Sequence, residues 1–218
     1  IISDKTFKNT LSFKTEEELV ESFKEVLIEY DPDIITGWSV IDFDLNFLLN
    51  KYNHYKIPCN IGRDGSNLKL RLQKSFFKDS KADIVGRVVL DGLSLLKSSF
   101  IKVRDYKLDT VAQELLQQNK LIKHHDKSKL DLIYKKDPQL LLDYNQLDAK
   151  LVYDIILKSQ TLDLSIQRSL LTGMPLDRVS ASIASFDSLY LKKSRERNTV
   201  VPTGKFSDKP KSITGGFV

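Results

Sequence analysis

Cysteine, methionine and tryptophan occur once each in this chain of 218 residues. A lone Cys59 cannot close an internal disulfide, which excludes a disulfide-stapled scaffold and makes a reducing cytoplasm the expected compartment. Cys59 itself reads as a small buried side chain. No apolar run approaches the ~20 residues that span a bilayer, so no membrane partner is expected. Charge of one sign is hardly in excess: 34 basic against 29 acidic residues leave +5, compatible with a nucleic-acid partner but too little to argue for one. With 9 Gly, 6 Pro and 41% hydrophobic residues, the chain is neither low-complexity nor repetitive, and it is long enough for one good core. His124 and His125 are adjacent, not a helical turn apart, which suits a surface better than a metal-ligand pair.

Local signals divide the rest. Thr15-Glu16-Glu17-Glu18 ahead of Leu19, Val20, Phe23, Val26 and Leu27 is a capping box opening an amphipathic helix that ends before Asp31-Pro32. Residues 34–36 read as a short buried strand, and a helix runs from about residue 42 to 55. Residues 60–80, with Asp64-Gly65 and alternating Leu68, Leu70 and Leu72, predict a β-hairpin. Residues 84–90 predict a core strand closed by Asp91, for which a structural role is expected. Helices are predicted near 108–118 and over 138–159, the latter continuing toward 171. Pro202, Gly204, Pro210 and Gly215 make the stretch beyond Arg195 a loosely held linker.

Two acids stand out. Pro138 suits the first position of a helix that Asp137 can cap. On that helix Leu140, Leu141, Tyr144, Leu151, Val152 and Ile155 share a face, and Asp148 projects from the middle of it. A carboxylate among leucines is costly to desolvate unless a cation receives it, so Asp148 is either a metal ligand or the buried partner of an Arg or Lys. Asp44 sits in the first turn of the helix after the 34–36 strand. Sites gather at the carboxyl ends of strands in open α/β folds, but an Asp there also serves simply as a helix cap.

Taken together, Gly37-Trp38 followed by Phe43-Asp44, and Tyr144-x-x-x-Asp148 much further on, resemble the second and third exonuclease motifs of family B DNA polymerases. The resemblance extends to Asp31-Pro32-Asp33-Ile34-Ile35-Thr36, Gly86-Arg87-Val88-Val89-Leu90-Asp91-Gly92, Leu108-Asp109-Thr110-Val111-Ala112, Gly173-Met174-Pro175-Leu176-Asp177-Arg178 and Gly215-Gly216-Phe217-Val218. It implies an α/β RNase H-like 3′-5′ exonuclease fold over residues 1–171, incomplete at its N-terminus, with 172–218 leading toward a polymerase domain. It also implies Mg²⁺ (or Mn²⁺) in a two-ion site, with Asp44 and Asp148 as catalytic ligands and Tyr144 orienting the attacking water. DNA is the implied partner, as a single-stranded 3′ end and as primer-template duplex, in proofreading by a replicative or repair polymerase.

Departures from the family pattern qualify this. Ser39 stands where the family usually carries an Asn that holds the DNA end. The Asp-x-Glu of the first motif, which would bridge both ions, is absent near Ile1; the expectation is a piece of a larger enzyme, by itself catalytically incomplete. Ser39 and Phe43 are candidate DNA contacts. So are Lys69, Arg71, Phe76 and Phe77 of the hairpin, although charge runs usually face water and the segment reads more readily as a solvated hairpin with core phenylalanines. Lys192, Lys193, Arg195 and Arg197 face either duplex DNA or solvent. The family sheet would begin with three strands upstream of Ile1, so an open sheet edge and self-association are expected. The alternatives are a non-catalytic nucleic-acid-binding module of the same fold and a hydrolase of small phosphoesters.

Overall fold

Thr15 accepts from the backbone N–H of Glu18 while the Glu18 carboxylate reaches back to the backbone of Thr15, so α1 (Glu16–Tyr30) starts on the capping box that the sequence spells. A computed structural model of the chain describes residues 1–73, 80–118 and 133–202. Lys74, Phe76, Phe77, Lys78, His124, His125 and the Gly215-Gly216-Phe217-Val218 segment lie outside the described residues. Asp31, in the left-handed region at φ 44°, turns the chain out of α1 and into β1 (Ile34–Gly37).

The architecture is mixed α/β. β1 pairs in parallel with a strand at Val88–Asp91, in the register Ile34 with Val88, Ile35 with Val89, Thr36 with Leu90 and Gly37 with Asp91. Among the described residues these two strands form a sheet of their own, and no strand pairs with the other edge of β1. A π-helical stretch, Ile41–Leu45, follows β1 and runs into α2 (Asn46–Tyr55). The hairpin is made by β2 (Lys69–Arg71) and β3 (Lys81–Asp83), and β4 is the Val88–Asp91 strand.

Two expectations are corrected here. The predicted strand over 84–90 is cut in two, because the chain turns at Val85 and Gly86, the latter at φ 79°, and an Ile84–Arg87 bridge closes the turn. The hairpin partner of β2 is therefore residues 81–83. Residues 59–68 form a separate tight loop, held by Leu68 N–H on the Cys59 carbonyl and Gly62 N–H on the Ser66 carbonyl.

Beyond β4 lie α3 (Gly92–Lys97), α4 (Leu108–Leu116), α5 (Pro138–Ser159) and α6 (Thr161–Thr172). Asp137 caps α5 by accepting from Leu140 N–H, with Pro138 in the first turn as expected. The predicted continuation of α5 toward 171 is broken at Gln160, whose φ of 52° ends one helix and starts the next. A 3₁₀ turn at Leu176–Arg178 leads to α7 (Ser182–Glu196), a helix within the stretch expected to connect onward.

Two cores result. Val20, Val40, Ile41, Leu45, Tyr52, Ile61, Leu68, Ile84 and Val89 form one, with Ile35 and Cys59. Tyr52 is wholly buried and satisfies its hydroxyl on the Val20 carbonyl at 2.8 Å. Burial pushes the Cys59 thiol up to about 11, so it is inert as the sequence implied. Leu96, Leu108, Val111, Ala112, Leu151, Val152, Ile155 and Ile156 form the other, with Trp38 packed against it.

One buried charge ties the first core to the sheet. Arg87, whose side chain is 2% exposed, pairs with Asp31 at 2.7 Å and donates to the carbonyls of Pro32 (2.8 Å) and Ile61 (3.1 Å). Arg63 meets the same Asp31 at 2.9 Å, and these guanidinium contacts, Arg63 first, hold the Asp31 carboxyl below its usual range.

Candidate active site at the carboxyl end of the parallel strands

Asp44 is carried on the π-helical stretch just past β1. Leu45 N–H reaches back five residues to the Val40 carbonyl at 2.8 Å, while Phe43 N–H takes the Ser39 carbonyl at 3.0 Å. The wider turn buries Ile41 and Leu45 and leaves Phe43 and Asp44 outside. Single π turns inside helices recur at functional sites, because the extra residue re-aims the side chains around it. Phe43 is 70% exposed, a bare ring beside the acid. Ser39 starts this turn at φ 58°, a left-handed conformation that a serine adopts with strain.

Asp91 ends β4 in register with Gly37, so Asp44 and Asp91 both lie at the carboxyl end of the parallel pair. Partial burial pushes the Asp44 carboxyl above its ordinary value, and the nearby Asp91 charge adds to the shift. The Asp91 carboxyl is also raised, by burial first, against the backbone N–H groups of Ser94 and Leu93 from which it accepts. Its structural role is therefore real, and wider than closing a strand: it caps α3. Sequence reasoning missed its proximity to Asp44. The signal was present in the matching positions of two parallel strands, but only the pairing register reveals it.

Tyr144 and Asp148 sit on α5 as expected, one turn apart on its inner side. Tyr144 is buried and hydrogen-bonds through its hydroxyl to the Asp148 carboxylate; burial first, then the Asp148 charge, pushes the phenol well above its usual range. Asp109 on α4 adds to that field.

The structure thus brings Asp44 to Asp91 and Tyr144 to Asp148. Carboxylates of this kind suit Mg²⁺ or Mn²⁺, which take oxygen donors. Among the described residues, however, no three His, Cys, Asp or Glu side chains gather closely enough to hold a metal ion. The described acids do not by themselves make up a two-ion cage.

The other candidate contacts divide. Lys69 is exposed, whereas Arg71 is engaged with Asp83 at 2.7 Å across the hairpin. Phe76 and Phe77 lie outside the described residues. Lys193 pairs with Glu196 at 2.8 Å and Lys192 donates to the Leu171 carbonyl, with Arg195 among the described residues of the same helix. No helix among the described residues is long and apolar enough to cross a membrane.

Comparison with known proteins adds an independent line. Residues 3–111 match the family model described as DNA polymerase family B, exonuclease domain, a span that holds Ser39, Phe43, Asp44 and Asp91. The chain is 34% identical over 206 residues to DNA polymerase II of Escherichia coli K12, covering 92% of this chain and 26% of that protein. It is 26% identical over 212 residues to the DNA-directed DNA polymerase of Escherichia phage RB69, covering 95% of this chain and 23% of the relative. With the DNA polymerase delta catalytic subunit of Glycine max it shares 28% identity over 211 residues, 90% of this chain and 19% of that one. The chain therefore spans about a quarter or less of the length of these relatives.

Proposed function

From the premise that this chain belongs to the exonuclease domain family of the family B DNA polymerases, we propose that it supplies part of a 3′-5′ proofreading site on an RNase H-like frame. The reaction is hydrolysis of the terminal phosphodiester of a DNA 3′ end, releasing a nucleoside monophosphate. The hydrogen bond from Tyr144 to Asp148 carries this reading. It fixes one carboxylate at the edge of a buried helix face, where an acid without chemical use would be an expense in stability.

In this reading Asp148 and Asp44 are the catalytic acids, from separate parts of the chain. Divalent ions, when bound, would polarise water and phosphate oxygen. The chain's own residues do the following. Tyr144 orients Asp148 and the water it faces. Phe43 offers a ring on which an unpaired base can stack, and Ser39 shapes the turn that presents Phe43 and Asp44. Residues 172–218 lead toward a polymerase domain, so DNA enters both as a frayed 3′ end and as duplex.

The test uses the natural polypeptide carrying residues 1–218 and a 3′-labelled single-stranded oligonucleotide with Mg²⁺. Asp44→Ala and Asp148→Ala are each expected to cut monophosphate release by at least about 100-fold with the thermal midpoint retained. Undiminished release in both variants overturns the proposal. The absence of a three-ligand metal cluster among the described residues favours one second reading, a non-catalytic module that binds DNA. Retention of the oligonucleotide with no monophosphate released by the unaltered protein would establish it.

A further inference from the structure

Between α3 and α4 the chain crosses the second core as an irregular ribbon whose burial alternates. Ile101 and Val103 turn inward and pack on that core, which Leu96 and Leu108 enter at either end. Phe100, Lys102, Arg104 and Tyr106, at every second position, are exposed. Alternate side chains of an extended chain share a face, so the outer face carries ring, cation, cation, ring. Both rings meet a further cation. The Arg168 guanidinium lies 5.7 Å from the centre of the Phe100 ring, and its donation to the Ser98 carbonyl at 3.0 Å holds it there. The Lys97 ammonium lies 5.5 Å from the centre of the Tyr106 ring. Acids enter beside Arg104, where Glu114 engages its guanidinium and Asp105 accepts from Lys107 N–H at 2.9 Å. The end at Phe100 and Lys102 is therefore the more cationic. The Tyr106 end abuts the candidate site. Trp38 donates its indole N–H to the Tyr106 carbonyl at 3.1 Å, and the next residue, Ser39, starts the turn that presents Phe43 and Asp44.

We infer that this ribbon is a binding surface for a single strand of DNA on its way to Asp44. Phe100 and Tyr106 are its stacking rings, and Lys97, Lys102 and Arg168 meet its phosphates. Single-strand sites combine a cationic track with bare rings, because every base has a face to stack and every link carries a charge. A loop that merely faces water needs the charges and not the rings. Phe100 is 86% exposed, so its ring adds almost nothing to the core. A docking face for another protein segment fits less well, since the centre of such an interface is depleted of charge, whereas rings and cations alternate here. Paired bases hide their faces, which makes the strand an unpaired one.

The inference deepens the exonuclease reading and rests on it for where the strand leads, so binding and cleavage are tested apart. The natural polypeptide carrying residues 1–218 is mixed with single-stranded oligonucleotides that bear 5-iodouracil at one position near the 3′ end, with metal chelated so that nothing is cut. Irradiation is expected to couple the base to Phe100 or Tyr106, read by peptide mass spectrometry. Adducts at neither ring overturn the inference; if Phe43 is labelled in the same experiment, the exonuclease reading survives that failure. In Mg²⁺, Phe100→Ala is expected to raise KM for monophosphate release by about 5-fold or more, the scale of one lost base stack, with release at saturation within a factor of about 2. Lys102→Ala should make log(kcat/KM) less steep against log salt by about 0.7, the share of one phosphate contact on a single strand. Both side chains are exposed, so neither variant should shift the thermal midpoint. An unchanged KM together with an unchanged salt slope overturns the inference. If Asp44→Ala leaves release intact, the exonuclease reading fails, and the adducts alone judge the ribbon.

Discussion

Tyr144 places its hydroxyl on the carboxylate of Asp148, one turn further along α5, from a buried position. The pair is internal to a helix, so its geometry is set by the 3.6-residue repeat and is insensitive to loop motion. Removing the hydroxyl tests its use. Tyr144→Phe is expected to slow monophosphate release by about 10-fold or more, the scale of a hydrogen bond to a charged group. The oligonucleotide KM should stay unchanged; a change confined to KM would assign Tyr144 to DNA binding instead.

The charge at Asp44 works against the fold. Its folded carboxyl titrates above its unfolded value, by burial first and then by Asp91, so the native state holds the proton more tightly across that window. Stability therefore falls as pH rises through it, and ionised Asp44 is destabilising at neutral pH. Asp44→Asn is expected to raise the unfolding free energy at pH 7 slightly, read from urea curves, by no more than about 0.5 kcal/mol because the side chain keeps a solvated edge. The gain should vanish below the unfolded carboxylate value of about 3.9. A gain that persists in acid would assign the effect to packing.

Arg87 is the buried charge on which the first core leans, with Asp31 and two carbonyls as its partners. Arg87→Met should lower stability by about 3–5 kcal/mol, since it orphans the acceptors that one guanidinium serves. Arg87→Lys should recover little, because one ammonium lacks the planar fork. Chemical unfolding curves read both.

Ser39 occupies φ 58°, where asparagine is the better tolerated non-glycine residue. Ser39→Asn should stabilise the chain by about 0.5 kcal/mol, with the turn and its Phe43 N–H to Ser39 carbonyl bond retained. A destabilised variant would show that the serine hydroxyl has a partner worth more than the strain.

The outer edge of β1 has no strand paired with it among the described residues. Residues 1–218 by themselves are expected to associate through that edge with rising concentration. Light scattering that stays at the monomer mass across the range would refute the expectation.

What could be read ahead of the structure was what is local. Thr15 and Glu18 satisfy each other, and Asp137 accepts from Leu140 N–H just past Pro138, all within one turn, so sequence alone settles where α1 and α5 begin. The chemical types of Asp44, Tyr144 and Asp148 were equally legible, because their spacing belongs to single elements. The break at Gln160 was not, since a left-handed glutamine carries no mark in composition. Nor was the cut at Gly86, where the turn competes with a run of β-branched residues.

The amino-acid order thus determined where α1 and α5 begin, their caps, the existence of two core strands and the spacing of Tyr144 and Asp148 on one helix. Which strand lay parallel to which, and hence that Asp91 ends beside Asp44, was decided only in three dimensions. The reason is physical: a cap or a helical pair draws on neighbours within a few residues. A register between distant strands is set by the collective burial of both, which no short stretch of chain encodes.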